Sequence, residues 1–299
     1  MTINNKNMEA KNIKIITPQK IILQGFIFGS RRVKTIYILL HGLSGNLFSR
    51  LELVEKMTAD GAAVMVFNNR GHGLINQFRK INPRQSDIYD SLIIGEAHEA
   101  FADCIDDIDG AINTALDNGY RKIILLGHST GCNKIAYYLS KKNPASVLGA
   151  ILLAPMSDYA DAIKFTEPKI FQRALKTARK LVADGKSQTL LPEKYWSRPI
   201  SAQRFLSLFT PESVEEMFSY AVPNKKSQIL QKIKKPFLVV LAGADQFTDR
   251  PMMEVLAWFK KVLINKNTEL LMIKKSLHSF SGQETKLKNL IFKFVKSLG

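Results

Sequence analysis

The chain has 299 residues, and 45% of them are hydrophobic, so it can bury a sizeable core and does not have the composition of a disordered protein. Lysine and arginine (43) outnumber aspartate and glutamate (26), which gives a formal net charge of +17. The basic residues are scattered as short pairs and no recognition module for nucleic acid is visible, so nucleic-acid binding is not expected as the main role.

The N-terminal residues, the length of the apolar runs and the cysteines restrict the class of protein further. Residues 1–12 are a polar leader without the apolar stretch of a secretory signal, and no apolar run approaches the roughly 18 residues of a membrane helix. Cys104 and Cys132 form neither a CxxC motif nor a zinc spacing. These features predict a cytoplasmic protein without a cysteine zinc site and without stable membrane insertion.

The first half of the chain alternates between predicted strands and helices. Strands are predicted at IKIIT and KIILQGFIF, and then at four buried apolar runs, which are residues 35–40, 62–68, 122–126 and 147–155. Amphipathic helices are expected at 47–59, about 95–118 and from Cys132 onward, whereas about 74–92 reads as polar and irregular. This alternation predicts an α/β fold with a mostly parallel, doubly wound sheet.

The alternation stops between residues 156 and 232. This segment contains helix-like pieces, five prolines and many aromatic residues, which favours an inserted helical lid. The sheet resumes at 236–245, a helix follows near 251–263, and a strand at 269–273 precedes a final amphipathic helix. The predicted organisation is therefore a core of about eight strands, formed by 13–155 and 233–299, with the insertion at 156–232.

The pentapeptide GHSTG at 127–131 follows one of the buried strands and precedes a predicted helix. It matches the G-x-S-x-G pattern of a sharp strand-to-helix turn that exposes a serine hydroxyl above a sheet. Gly127 and Gly131 would relieve the clashes of that turn. The sequence therefore predicts that Ser129 is a nucleophile rather than a serine in an ordinary turn.

A nucleophilic serine requires a base and an acid, and this fold places them after the serine in the order acid, then histidine. His278 is the only histidine that follows Ser129 in the sequence. Asp245 directly follows a buried strand and is the predicted acid, with Asp249 and Asp158 as alternatives.

The negative charge that forms during acyl transfer needs two backbone N–H donors. Thr130 follows the nucleophile and is expected to provide one. The loop HGLSGN after strand 35–40 is expected to provide the other from Leu43, with Gly42 and Ser44 as alternatives. His41 is interpreted as a support of that loop and not as a base.

Two further clusters are interpreted as structural. The turn NNRGHG, which includes Arg70 and His72, is expected to organise its own loop, with a role of these two residues in the pocket as the alternative. The acidic cluster Asp103, Asp106, Asp107 and Asp109 lacks the spacing of a calcium loop and is interpreted as a solvated helix face.

These motifs and their order resemble those of the α/β-hydrolase superfamily, from about residue 13 to 298. GHSTG, together with RPISAQRFLSLFTPESVEEMF at 198–218, also resembles a poorly characterised hydrolase family that includes fungal siderophore esterases. The resemblance implies hydrolysis of an ester, and the narrower resemblance implies an ester of a hydroxamate siderophore.

The leading functional prediction is a serine esterase that works through an acyl-enzyme on a small-molecule ester and needs neither a metal nor an organic cofactor. The net charge of +17 favours an anionic substrate. A thioesterase, amidase, acyltransferase or C–C hydrolase with the same catalytic residues is an alternative. A non-catalytic ligand receptor on the same scaffold is an alternative of a different class.

Overall fold

A computed structural model describes residues 9–299 of the protein, apart from 31, 83, 85–87, 226 and 264–266. Most of the predicted leader, residues 1–8, lies outside the described residues. Residues 10–12, which were predicted to belong to the leader, are instead part of the first strand, which pairs antiparallel with the second.

One sheet organises the described part of the chain. Its ten strands are β1 (Ala10–Ile16), β2 (Ile21–Phe28), β3 (Thr35–Leu40), β4 (Ala63–Phe67), β5 (Gln77–Ile81), β6 (Tyr89–Ile93), β7 (Lys122–His128), β8 (Val147–Leu153), β9 (Phe237–Ala242) and β10 (Thr268–Ile273). The spatial order is β10-β9-β8-β7-β3-β4-β2-β5-β6, with β1 paired to β2. Strands β3, β4, β7, β8, β9 and β10 are parallel to one another, which confirms the mostly parallel sheet.

The helices connect these strands on both faces. They are α1 (Leu51–Ala59), α2 (Cys104–Asp117), α3 (Thr130–Lys141), α4 (Asp158–Phe165), α5 (Pro168–Ala183), α6 (Ala202–Phe209), α7 (Gln228–Lys232), α8 (Met252–Val262) and α9 (Glu284–Lys296). Alternate residues of the buried strands supply two separate cores: Ile36 and Ile38 of β3 pack with α2, α3 and α8, whereas Tyr37 and Leu39 pack with α1 and α9. The sheet is therefore doubly wound, as predicted.

Two local predictions are wrong. The stretch predicted to be irregular contains the antiparallel pair β5 and β6, whose sequences QFRKI and YDSLI show no apolar run because only Phe78 is buried. The helix predicted from about residue 95 begins only at Cys104, after a short 3₁₀ turn at Phe101–Asp103. Residues 95–97 instead donate backbone hydrogen bonds to the loop at 70–74.

The predicted solvated acidic face of α2 is only partly solvated: Asp106 and Asp107 are buried, whereas the side chains of Asp103 and Asp109 are 36% and 24% exposed. Arg70, which is 1% exposed, forms ion pairs with Asp103 (3.1 Å), Asp106 and Asp107 (2.7 Å). Asp107 also accepts the backbone N–H of Arg70 at 2.9 Å. The cluster thus anchors the loop after β4 to α2, and Arg70 has the structural role that was expected.

The segment between β8 and β9 has a hydrophobic cluster of its own. Helices α4, α5 and α6 provide most of that cluster, which includes Ala162, Phe171, Ala174, Phe205 and Leu208. Leu43, from the loop after β3, packs against it, so the inserted segment covers the carboxyl end of that strand. Within the described residues no helix is both long and apolar enough to cross a membrane.

Candidate active site

Ser129 is the single residue between β7 and α3. Its backbone angles are φ 55° and ψ −127°, a conformation that non-glycine residues rarely adopt and that costs on the order of 1–3 kcal/mol. Its N–H donates to the carbonyl of Leu153 at 3.0 Å, and its own carbonyl accepts the N–H of Cys132 at 2.8 Å. The neighbouring strand and the first turn of α3 therefore hold the serine in a strained position at the end of the sheet.

The glycines on either side of Ser129 are required by close backbone contacts. A Cβ atom on Gly127 would lie 2.7 Å from the carbonyl carbon of Gly131. A Cβ atom on Gly131 would overlap the carbonyl oxygen of Leu40 on the adjacent strand. The turn and α3 thus approach β3 so closely that no side chain fits at either position.

The loops after β9 and β10 bring Asp245 and His278 together. Nδ1 of His278 lies 2.7 Å from Oδ2 of Asp245, and the two side chains are only 9% and 5% exposed. Backbone N–H groups of Gly243 and Ala244 donate to carbonyls of the β10 loop, which ties the two loops together. With the Nδ1 proton donated to the carboxylate, Nε2 of the neutral ring remains available as a base.

The two alternative acids have other surroundings. Asp249 uses both carboxylate oxygens to bind the guanidinium of Arg250, at 2.9 and 2.8 Å. Asp158 is at the start of α4 and lines the same pocket as Ser129, but the hydrogen bond to the His278 ring is that of Asp245. Of the three candidates, Asp245 therefore has the geometry of the acid.

Three residues hold His278 in place, and this role was not predicted for any of them from the sequence. Nε2 of His128 lies 2.9 Å from the His278 carbonyl, and the two rings are 5.0 Å apart. Burial, followed by the proximity of His278, lowers the pKa of His128 to about 3, so that ring is neutral and donates to the carbonyl. Phe247 packs edge-on against the His278 ring, and Oε1 of Gln246 accepts the backbone N–H of His278 at 3.2 Å. The one sequence feature that could have indicated such a role is the position of His128 directly before the predicted nucleophile.

The loop after β3 approaches Ser129 and has a fixed peptide orientation. The carbonyl of Gly42 accepts hydrogen bonds from Nδ1 of His41 (2.9 Å) and from the N–H of Gly45 (3.0 Å). Because the Gly42–Leu43 peptide is trans, the N–H of Leu43 points in the direction opposite to the Gly42 carbonyl. A Cβ atom on Gly42 would lie 2.8 Å from Cβ of Ser129, so this peptide lies directly beside the serine.

His41 supports this loop as predicted. It is 1% exposed, and burial, assisted by the charge of Lys134, lowers the pKa of the His41 ring to about 3. A neutral ring that is bonded to the Gly42 carbonyl orients the loop and is unsuited to act as a base at neutral pH. On the other side of the serine, the N–H of Thr130 lies at the N-terminus of α3, where it points out of the helix.

These groups surround one cavity of about 260 Å³. Its lining includes Ser129, His278, Leu43, Met156 and Phe247, together with the charged residues Arg50, Asp158, Asp161 and Arg198. A larger cavity of about 580 Å³ is lined by residues such as Glu212, Met217 and Lys225, and the described residues of its lining include no nucleophile paired with a histidine. Among the described residues, no group of three or more histidine, cysteine, aspartate or glutamate side chains could hold a metal ion.

Comparisons with known proteins agree with this architecture. The family DUF1749, described as a protein of unknown function, matches residues 93–298. The fusarinine C esterase sidJ of Aspergillus fumigatus is 29% identical, and the match covers 47% of this chain and 51% of that protein. The chain thus spans about half the length of this curated relative.

Solved structures match over nearly the whole chain. The siderophore hydrolase EstB from Aspergillus fumigatus has a TM-score of 0.68 at 18% identity, covering 98% of this chain and 99% of that one. The alpha/beta hydrolase GrgF from a Penicillium species has a TM-score of 0.67 at 16% identity, with 97% and 98% covered. At these identities the comparison establishes the α/β-hydrolase fold that the motif order predicted.

Proposed function

Since the chain belongs to the DUF1749 family of proteins of unknown function, we propose from its active-site geometry that it is a serine hydrolase that cleaves a carboxylic ester. One observation carries this proposal: the His278–Asp245 hydrogen bond of 2.7 Å lies beside the strained serine in a shared pocket. A serine in an ordinary turn would need neither the strained backbone nor a histidine oriented by a buried carboxylate.

The chemistry follows from the roles of three side chains. His278 Nε2 takes the proton from Oγ of Ser129, and Oγ forms a bond to the ester carbonyl carbon. When the tetrahedral intermediate collapses, His278 gives that proton to the leaving alcohol and an acyl-enzyme remains. A water molecule then loses a proton to His278 and attacks the acyl carbon. The acid product leaves, and the proton returns to Ser129.

The backbone supplies the electrostatic part of the mechanism. The N–H groups of Leu43 and Thr130 are our candidates for binding the oxyanion, because they come from the two segments that meet at Ser129. The carboxylate of Asp245 stabilises the imidazolium that forms at His278 and fixes the tautomer of its neutral form.

The inserted segment 156–232 is proposed to act as a lid that selects the substrate. It contributes Met156, Asp158, Asp161 and Arg198 to the catalytic pocket. A siderophore-type ester is supported by the activities for which two similar proteins are named, one a fusarinine C esterase and the other a siderophore hydrolase. The net charge of +17 adds long-range attraction for an anionic ester.

A fluorophosphonate probe and a panel of esters that includes hydroxamate siderophore esters test the proposal. We expect the probe to label the protein and the panel to contain a hydrolysed ester, and both signals to be lost in Ser129→Ala. Labelling should fall strongly in His278→Ala, because the serine then lacks its base. Ser281→Ala, which removes an exposed hydroxyl, is the matched control and should behave like the wild type. Labelling that persists in Ser129→Ala, or that is undiminished in His278→Ala, would refute the assignment.

A further inference from the structure

Helix α5 of the inserted segment carries a row of basic side chains on its outer face. The row, which we call the α5 stripe, consists of Lys169, Arg173, Lys176 and Lys180, and all four residues are exposed. The helix contains no acidic residue. At 3.6 residues per turn, the four positions fall within an arc of about 60° and extend over about 16 Å of the helix axis.

The opposite face of α5 fixes the stripe toward solvent. Phe171, Ala174 and Ala178 are the buried residues of this helix, and they belong to the hydrophobic cluster of the inserted segment. The same helical rotation places them on the side of α5 that faces away from the stripe. The apolar face of the helix is therefore occupied within the protein, and the basic face is the one that a partner can reach.

The charges of the stripe are not neutralised within the described part of the chain. There, α5 forms one ion pair, between Arg179 and Glu212 at 2.8 Å, and Arg179 lies beside the stripe and not in it. Glu167, which precedes the helix, uses its carboxylate oxygens to accept the backbone N–H groups of Lys169 and Ile170. Neighbouring members of the stripe are three or four residues apart, a spacing at which like charges destabilise a helix. The stripe therefore does not serve the stability of α5.

Apolar side chains are exposed at the end of the stripe. Phe165, the last residue of α4 and three residues before α5, is 62% exposed. Ile163 and Ile170 on either side of it are also exposed, and the ammonium group of Lys164 lies 4.6 Å from the centre of the Phe165 ring. A polyanion such as nucleic acid needs only the cations of such a surface. Cations next to exposed aromatic and aliphatic side chains are typical of surfaces that contact lipid headgroups and the acyl chains beneath them.

This apolar end of the surface lies close to the catalytic residues. Lys164 donates to the carbonyls of Gln246 (3.3 Å) and Thr248 (2.7 Å), which holds the end of α4 beside the loop that carries Asp245. Phe247 of that loop, which packs against the His278 ring, is exposed, and so is Leu277 next to His278. A partner bound at the end of α4 is therefore near the catalytic pocket.

We propose that the α5 stripe and the exposed apolar residues at the end of α4 dock the protein onto the surface of an anionic lipid bilayer. The stripe attracts the headgroups, while Phe165, Ile163 and Ile170 enter the interface. This contact is peripheral and requires no membrane-crossing helix, and the described residues contain none. The inference goes beyond the proposed function, since docking does not depend on the chemistry of Ser129.

Flotation with lipid vesicles measures the docking of the whole protein. Vesicles of phosphatidylcholine alone are compared with vesicles that also contain phosphatidylserine, at low and at high salt. We expect the wild type to bind the phosphatidylserine vesicles at low salt and to be released at high salt, because salt screens exposed charges. Its partition coefficient for pure phosphatidylcholine should be at least about ten-fold lower.

A variant with glutamine at all four positions of the stripe tests where the protein binds. Each lysine or arginine near an anionic leaflet contributes about five-fold to the partition coefficient, so we expect a loss of about 10²-fold or more. A protein with a net charge of +17 is attracted to anionic vesicles by any of its faces, so the control must lose the same charge elsewhere. The control has glutamine at four exposed lysines on β1, α7, α8 and α9, which are Lys14, Lys232, Lys260 and Lys293. It should lose less than about five-fold.

The apolar part of the surface has its own matched pair of variants. Phe165→Ser should lower the partition coefficient about five-fold, because its ring no longer leaves water for the interface. Met253→Ser removes an equally exposed apolar side chain on α8 and should leave the partition coefficient unchanged. Circular dichroism should show the same fold for all of these variants.

Several outcomes would overturn the proposal. They are an absence of binding to phosphatidylserine vesicles at low salt, equal losses in the stripe and control variants, and an unchanged partition coefficient in Phe165→Ser. Duplex DNA that binds more tightly than the vesicles, and is lost in the stripe variant, would identify nucleic acid as the partner instead of a bilayer. Ser129→Ala should bind vesicles like the wild type. A failure of ester hydrolysis therefore leaves the docking result standing, and a failure to bind vesicles leaves the hydrolase assignment standing.

Discussion

Replacement of Asp245 by asparagine tests the acid of the proposed mechanism. Its carboxylate lies 2.7 Å from Nδ1 of His278, and both side chains are almost fully buried. At about 4 Å between the charge centres and an effective dielectric constant of about 20, an imidazolium–carboxylate attraction is about 4 kcal/mol. The loss of that term corresponds to about three powers of ten in rate.

The amide introduces a second defect. Its N–H can donate to Nδ1 of His278, which places the ring proton on Nε2, where it blocks the transfer from Ser129. We therefore expect kcat for an activated ester to fall by roughly 10³ to 10⁴ in Asp245→Asn. Circular dichroism should show an unchanged fold, so that the loss can be assigned to the catalytic step.

Asp249→Asn is the matched comparison, because it removes a carboxylate four residues away in the same loop. Asp249 binds Arg250 rather than His278. A partly exposed pair of this kind contributes little, so we expect kcat to change by less than about three-fold. If Asp249→Asn were the severely impaired variant and Asp245→Asn remained active, the assignment of the acid would be wrong.

Two further predictions concern stability. Burial raises the pKa of Glu216 from 4.5 to about 7. Between pH 4.5 and pH 7 the folded protein therefore binds a proton that the unfolded chain does not. The stability that depends on the protonated carboxyl is lost as the pH rises through about 7. Glu216→Gln should therefore raise the unfolding temperature more at pH 8 than at pH 5, and a gain that is equal at both pH values would contradict the shift. Gly131→Ala should lower the free energy of unfolding by more than about 2 kcal/mol, because the added methyl group overlaps the Leu40 carbonyl. Gly185 has a φ of 73° but open space around it, so Gly185→Ala should lower the free energy of unfolding by only about 1–2 kcal/mol. Denaturant titration measures both variants, and equal losses of stability would refute the steric argument.

The parts of the fold that were predictable are those where burial leaves a strong pattern. Strands β3, β4, β7, β8 and β9 are buried on both faces and appear in the sequence as continuous apolar runs. The hairpin of β5 and β6 lies at the edge of the sheet, where most of its side chains remain accessible and no such run exists. Its pairing with β2 depends on contacts that are distant in sequence, so the local composition could not reveal it.

The site likewise combines residues that a local motif or chain order identifies with contacts between residues that are distant in sequence. Ser129 and His278 could be chosen from a motif and from chain order. The choice among Asp245, Asp249 and Asp158 could not be settled in that way, because each is an aspartate beyond a strand. It depends on which carboxylate the loop geometry brings to Nδ1 of His278. The buried pairing of Arg70 with the acids of α2 was invisible for the same reason, since their partner comes from a loop more than 30 residues earlier.

Buried charges connect the inserted segment to the helix that follows the proposed nucleophile, and this connection limits which residues of the segment can vary. Glu99 binds Lys134 of α3 and, at 3.0 Å, Arg204 of α6, and Arg204 in turn binds Glu215 at 2.6 Å. These side chains are at most 3% exposed, so removing any one partner leaves a buried charge without compensation, at a cost of about 3–5 kcal/mol. The inserted segment, which we propose selects the substrate, is therefore connected through Glu99 to the helix that follows Ser129. We infer that the substrate range can change through pocket-lining residues such as Asp158 and Asp161, whereas this ion-pair network must remain intact to keep them aligned with the serine.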